Sequence, residues 1–173
     1  MSYDAVVYDL DGTLVRLAVD WGVVRESVVD VLEGDGIDTG RADLWSLLEI
    51  ADEAGLAAAV EGTVAEHERA GARDSTRLRL ADELPRSVPV GVCSLNCEAA
   101  CRIALETHSL GEHVDAVVGR DSVESQKPDP EPLLAVLEQL GVAPERALFV
   151  GDSDSDAETA AAAGTDFEYV RDR

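Results

Sequence analysis

Apolar residues follow two rhythms along the chain, and the rhythm changes twice. Ala5-Val6-Val7 is a continuous apolar run, read as a buried strand that leads straight into the polar turn Asp9-Leu10-Asp11-Gly12-Thr13. From Val19 to about Arg86 the spacing is helical and no strand is expected. Trp21, Val24, Val28 and Val31 form one face, Leu44, Leu47, Leu48 and Ala51 a second, and Leu56, Val60 and Val64 a third. Leu78, Ala81 and Leu84 suggest a fourth, shorter helix before Pro85. Strand and helix then alternate. Val88–Cys93, Ala116–Gly119, Ala147–Val150 and Phe167–Val170 read as strands. Helices are expected from about Cys97 to Ser109, from Asp129 or Pro130 to Gly141, and over the Ala-rich stretch that ends at Gly164.

Apolar strands alternating with helices predict an α/β fold: a Rossmann-like doubly wound parallel sheet of about five strands, covered on both faces. The helical stretch is then an insertion after the first strand. Residues 1–15 and 86–173 would form the core domain, and residues 16–85 a small helical domain. Ligands bind such sheets at the carboxyl ends of the strands. The polar clusters sit at those ends: Asp9 and Asp11 after the first strand, Ser94 and Asn96 after the second, and Asp152, Asp154 and Asp156 after the fourth. Lys127 lies in the connection after the third.

Charge narrows the partners. The chain of 173 residues carries 36 acidic and 14 basic residues, a formal net charge of −22. That balance opposes binding to nucleic acid or to an anionic membrane surface. The acids are spread along the chain over an Ala- and Val-rich interior, which suggests adaptation to high salt, where counterions screen the self-repulsion. Thirteen of the basic residues are Arg, and the one Lys is Lys127, a compact ammonium kept at a single place. Cys93, Cys97 and Cys101 lack the partners a zinc site would need and read as small buried hydrophobes in a reducing cytoplasm. No apolar run approaches membrane-spanning length and no signal peptide precedes the first strand, so a cytoplasmic location is expected.

Two carboxylates at the mouth of a buried strand each need a cation or a hydrogen-bond partner. Asp152, Asp154 and Asp156 imitate the start of a calcium loop, but Ala157 and Ala163 stand where that loop needs Gly and Glu. Helix N-capping explains part of the presence of Asp154 and Asp156, though not Asp9. A hard divalent cation held by few carboxylates and meeting a substrate phosphate is the usual mode of magnesium. One carboxylate can attack phosphorus, a second can move the protons, and hydroxyl and amide groups such as Ser94 and Asn96 can hold phosphate oxygens. An ammonium can offset the developing charge.

These parts resemble the four motifs of the haloacid dehalogenase superfamily, in order. Asp9-Leu10-Asp11-Gly12-Thr13-Leu14 matches the first, the strand ending in Ser94 the second, Lys127-Pro128-Asp129-Pro130 the third, and Gly151-Asp152-Ser153-Asp154-Ser155-Asp156 the fourth. The insertion resembles the helical cap of phosphoglycolate-phosphatase-like members. The resemblance implies a magnesium-dependent phosphatase acting on a small phosphorylated metabolite. It makes Asp9 the nucleophile and a metal ligand, and Asp11 the general acid and base, ligating through its backbone carbonyl. Lys127 would steady nucleophile and phosphate. Asp152 would complete the metal site, with Asp156 a further carboxylate near the metal or Lys127. Leu10, Ser94, Leu95 and Asn96 would meet the phosphate.

Departures and alternatives accompany this reading. The Pro-Gly pair often found before the second strand is replaced by Glu83-Leu84-Pro85-Arg86-Ser87, and the cap is short and poor in aromatic residues. Arg16, Arg25, His67 and Arg73 are candidates to face the substrate, although such charges commonly serve as solvated surface. The same scaffold supports phosphomutases and pyrophosphatases. A phospho-accepting receiver would place its acceptor after the third strand, near Asp121, and has no use for a long helical insertion. A monomer or a homodimer is compatible with the sequence.

Overall fold

The computed structural model describes residues 2–173. Strand β1 (Ala5–Tyr8), buried at every position, occupies the centre of a five-stranded sheet. The chain next forms the two-residue strand β2 (Val15–Arg16), helices α1 (Trp21–Gly34), α2 (Leu44–Glu53) and α3 (Ala57–Arg73), and the two-residue strand β3 (Thr76–Arg77). Then come β4 (Val90–Cys93), α4 (Glu98–Thr107), β5 (Ala116–Val118), α5 (Glu131–Leu140), β6 (Ala147–Gly151), α6 (Asp154–Ala163) and β7 (Asp166–Tyr169). The sheet order is β5-β4-β1-β6-β7 with every pairing parallel. The expected α/β architecture is therefore present.

Alternation along β1 divides the core. Val6 and Tyr8 pack on one face with Val90, Val92 and, from α4, Ala100, Cys101, Ala104 and Leu105. Val7 points to the other face, among Leu133, Val136 and Leu137 of α5, Phe149 and Ala160. The connections from β4 out to β5 and from β5 back to β6 run in opposite directions, which right-handed crossovers translate into helices on opposite faces. Close packing sets at least one residue type: a Cβ on Gly91 would come within 2.3 Å of Val136 Cγ1, so only Gly lets α5 lie against β4.

The helices between β1 and β4 have their own cluster. Val24, Val28 and Leu32 of α1 meet Leu47 and Ala51 of α2 and Val60 and Val64 of α3, all buried. Asp20 and Asp43 cap α1 and α2, their side chains accepting from Gly22 and Val23 and from Ser46. Helix α3 belongs to two neighbourhoods. Its Val60 and Val64 face α1 and α2, whereas Ala65 and Ala72 join the cluster formed with α4. Those small side chains let α3 approach α4 closely.

Two details differ from expectation. Strands β2 and β3 pair antiparallel, Val15 opposite Arg77 and Arg16 opposite Thr76, where no strand was expected. A ladder of two residues is too short to show any alternation. It sets the departure and return of the chain side by side, and Leu78 N donates to Leu14 O at 3.0 Å. The fourth helix is only a 3-10 turn, Arg79–Glu83, whose Leu80 and Ala81, with Leu84, pack into the main core rather than against α1 and α2. Pro85 leaves no room for further helical turns. Among the described residues, no helix is long and apolar enough to cross a membrane.

Candidate active site

The residues that follow the ends of β1, β4 and β6 converge, because parallel strands put their carboxyl ends on one edge. Asp9 N donates to Val150 O at 2.9 Å, which ties the turn after β1 to β6. Its side chain is buried, and Lys127 Nζ donates to Asp9 Oδ1 at 2.9 Å. The same ammonium donates to Asp156 Oδ1 at 2.5 Å and to the Cys93 carbonyl at 3.3 Å. Lys127 thus fastens the ends of β1, β4 and β6 to one point. Oδ2 of Asp9 has a longer contact, 3.4 Å from Thr13 Oγ1.

Asp156 is fully used. Oδ1 takes the Lys127 bond, and Oδ2 accepts from Ser153 N at 3.2 Å and Ser153 Oγ at 2.8 Å, closing a capping box at the start of α6. Asp154 instead accepts from Tyr169 Oη at the surface. Oxygens of Asp9, Asp152 and Asp156 lie within 4.8 Å of one another. Gly12, with φ +85°, makes this approach possible: a Cβ there would stand 2.2 Å from Asp152 Oδ2. Asp11 turns the other way, toward the helical segment, and its Oδ1 accepts from Leu17 N at 2.9 Å.

Three carboxylates around one ammonium leave an excess of negative charge. Burial pushes the Asp9 carboxyl up to about 7, with the Asp156 charge adding to the rise and Lys127 opposing it. Burial also raises Asp11 and Asp152. For Lys127, burial disfavours the charge, but Asp9 and Asp156 outweigh it, so the ammonium stays protonated. Hard anionic oxygens with too little positive charge form a donor set that suits a divalent cation such as Mg2+.

Beside this cluster Ser94 Oγ accepts from Asn96 N at 3.1 Å and from Asn96 Nδ2 at 3.2 Å. Both acceptor positions are filled, which leaves the hydroxyl proton to be donated. Leu10 follows Asp9 with its side chain buried in the core, and Leu95 follows Ser94 in the loop after β4. The sequence-identified set Asp9, Asp11, Ser94, Leu95, Asn96, Lys127 and Asp152 lines one cleft of about 850 Å3. Asp156 lies behind it.

Other candidates fall elsewhere. Of the four charged residues in the helical segment, Arg25 lines the cleft, whereas His67 pairs with Ser27 Oγ at 3.0 Å and Arg16 and Arg73 are exposed. Asp121 is no phosphoryl acceptor in this arrangement, since its Oδ1 accepts from Glu98 N at 2.7 Å at the start of α4. Cys93, Cys97 and Cys101 are buried free thiols, with Cys93 pushed by burial up to about 12 and Cys97 to about 11.

One group was not anticipated. Arg120, after β5, donates to Glu61 Oε1 at 2.6 Å, to Glu68 Oε1 at 2.6 Å and Oε2 at 2.9 Å, and to the Leu95 carbonyl at 2.7 Å. Glu68 has no exposed surface and also accepts from Cys97 N at 3.0 Å. This network joins α3 to the loop that carries Ser94. Glu61 and Glu68 stand seven residues apart on one face of α3, with Val64 and Ala65 between them, and that spacing was the available signal.

The fold and the cluster define a parallel-sheet α/β protein whose strand-end site is built on an aspartate pair, an ammonium and further carboxylates. A profile of the haloacid dehalogenase-like hydrolases matches residues 79–170. The phosphoglycolate phosphatase of Rhodospirillum rubrum is 34% identical over 185 aligned residues, covering 92% of this chain and 76% of that protein. A crystal structure of a HAD-superfamily hydrolase, subfamily IA, variant 1, from Geobacter sulfurreducens superposes with a TM-score of 0.61 at 26% identity, covering 96% of this chain and 88% of that one. CbbY from Rhodobacter sphaeroides, crystallised with phosphate, shares the fold with a TM-score of 0.68 at 23% identity, over 96% of this chain and 85% of that one. The chain belongs to the haloacid dehalogenase-like hydrolases.

Proposed function

We propose that this hydrolase is a magnesium-dependent phosphatase that cleaves a small phosphate monoester through an aspartyl-phosphate on Asp9. The observation that carries the reading is Lys127 Nζ seated between Asp9 and Asp156, with Asp152 close by. A nucleophilic carboxylate must be ionised and fixed in direction; the buried ammonium on Oδ1 fixes the direction and opposes the rise that burial imposes on the carboxyl.

Asp9 attacks phosphorus with a carboxylate oxygen, and the bond from phosphorus to the ester oxygen breaks. Asp11 gives its proton to the departing alkoxide; burial raises its pKa, the direction a general acid needs. Its carboxylate then takes a proton from water, which attacks phosphorus, releases inorganic phosphate and restores Asp9. Ser94 Oγ–H and amides of the Leu10 and Leu95 loops hold the non-bridging oxygens. Asp9, Asp152 and the Asp11 carbonyl would hold Mg2+, which would offset charge on the phosphoryl oxygens. Asp156, with both oxygens engaged, orients Lys127 rather than reaching the ion. Residues 16–85 act as the cap over the core formed by 1–15 and 86–173, closing the cleft above the phosphate site.

The test is hydrolysis of a panel of phosphate monoesters with Mg2+ in molar potassium chloride. Wild type should turn over and Asp9→Asn should not, and borohydride should trap the acyl-phosphate at Asp9 as homoserine. A wild-type protein that cleaves no phosphoryl substrate at saturating Mg2+ would overturn the reading.

A further inference from the structure

The cleft is divided chemically. Its floor is the charged cluster at the strand ends, but the wall supplied by the helical segment is apolar: Trp21, Leu44, Trp45, Leu48, Val60 and Val64. Trp45 is 66% exposed and Trp21 44%, although most large apolar side chains of this chain are buried. Indoles left in contact with solvent beside a reaction site are surface that a ligand can cover.

Charge in this upper part points the same way. Asp43, Glu61, Glu68 and Glu124 line it against Arg25 and Arg120. Arg120 is committed to Glu61, Glu68 and the Leu95 carbonyl. Arg25 gives its Nε to the Ala42 carbonyl at 2.8 Å. A carboxylate on the leaving group would meet more anions than cations there, with the Nη groups of Arg25 as the cationic donors within its reach. The volume, about 850 Å3, also far exceeds what a two-carbon acid needs.

We propose that the alcohol released by this enzyme is uncharged and apolar or aromatic, packed against Trp45, Leu48 and Val60 while its phosphate rests on the strand-end cluster. This rests on the phosphatase reading and narrows its substrate class away from the phosphorylated hydroxy acid named for the Rhodospirillum relative.

The test compares benzyl phosphate and hexyl phosphate with 2-phosphoglycolate, all alkyl esters, with Mg2+ in molar potassium chloride. Benzyl phosphate should exceed phosphoglycolate at least tenfold in kcat/KM, on the scale of a few buried carbons in a pocket. Trp45→Ser, at an exposed position that leaves the core intact, should raise KM for benzyl phosphate more than for phosphoglycolate. Glu124→Gln should narrow the ratio from the other side by improving phosphoglycolate. Equal or better turnover of phosphoglycolate by wild type overturns the inference and leaves the phosphatase reading standing. Failure to cleave even 4-nitrophenyl phosphate overturns both.

Discussion

Lys127 Nζ lies 2.9 Å from Asp9 Oδ1, across 118 positions of sequence, and both groups are buried. An ion pair so placed fixes the direction of the carboxylate at the end of β1. A point charge does this where a broader one cannot. Lys127→Arg should fold normally and lose roughly a hundredfold in kcat, because a planar guanidinium cannot bridge the same two oxygens. Near-wild-type turnover, with an unchanged circular dichroism spectrum, would show that the pair is structural only.

Asp11 and Asp9 should separate kinetically. Asp11→Asn removes the proton donor and should lower kcat on alkyl phosphates by about 10²–10⁴. With 4-nitrophenyl phosphate the leaving group needs no proton, so a stoichiometric burst of nitrophenol should precede slow turnover. A variant with no burst and no loss of rate would place the acid elsewhere.

Magnesium affinity should follow the protonation of the acidic cluster. Asp9 has its carboxyl pushed up to about 7 in the metal-free protein, mainly by burial. Between its ordinary value and that pH the folded state holds a proton that the unfolded chain has released, so this group lowers stability as pH rises. Metal binding must expel the proton, and apparent affinity should weaken about tenfold from pH 8 to pH 6. The readout is the rise in Tm on adding Mg2+ at each pH. A rise independent of pH would mean that Asp9 is already ionised throughout.

The Arg120 network should behave as a buried pair. Arg120→Met strands Glu68, which has no exposed surface, and should cost about 3–5 kcal/mol. In a chain of this size that lowers Tm by on the order of 10 °C. Glu68→Leu in the same chain should recover much of the loss. Additive single and double variants would rule out the coupling.

Salt should stabilise the whole molecule. With a net charge of −22, raising potassium chloride from about 0.1 M to about 1 M shortens the screening length from about 10 Å to about 3 Å. Both Tm and activity should increase, and a flat Tm across that range would sink the proposed adaptation to salt.

The parallel strands were legible because strands buried on both faces are unbroken apolar runs, as at Ala147–Val150. The strand-end cluster was legible for a related reason, since Asp9, Ser94 and Asp152 each follow such a run directly. What escaped depended on contacts between distant segments. The β2–β3 ladder has only Val15, Arg16, Thr76 and Arg77 to announce it. Nothing next to Arg120 in sequence marks it out, because its partners Glu61, Glu68 and the Leu95 carbonyl come from distant segments. The fourth helix failed because three apolar residues at helical spacing can as well line a short turn lying on a core.

The clamp at Arg120 also bears on how such an enzyme diversifies. Helix α3 is pinned to the Ser94 loop, while α1 and α2 reach the rest of the chain mainly through their shared cluster with α3. Mutations at Trp21, Leu44, Trp45 and Leu48 can therefore accumulate without disturbing a phosphate oxygen or a proton path. Descendants of this chain can change diet by rewriting two helices and keep the reaction they inherited.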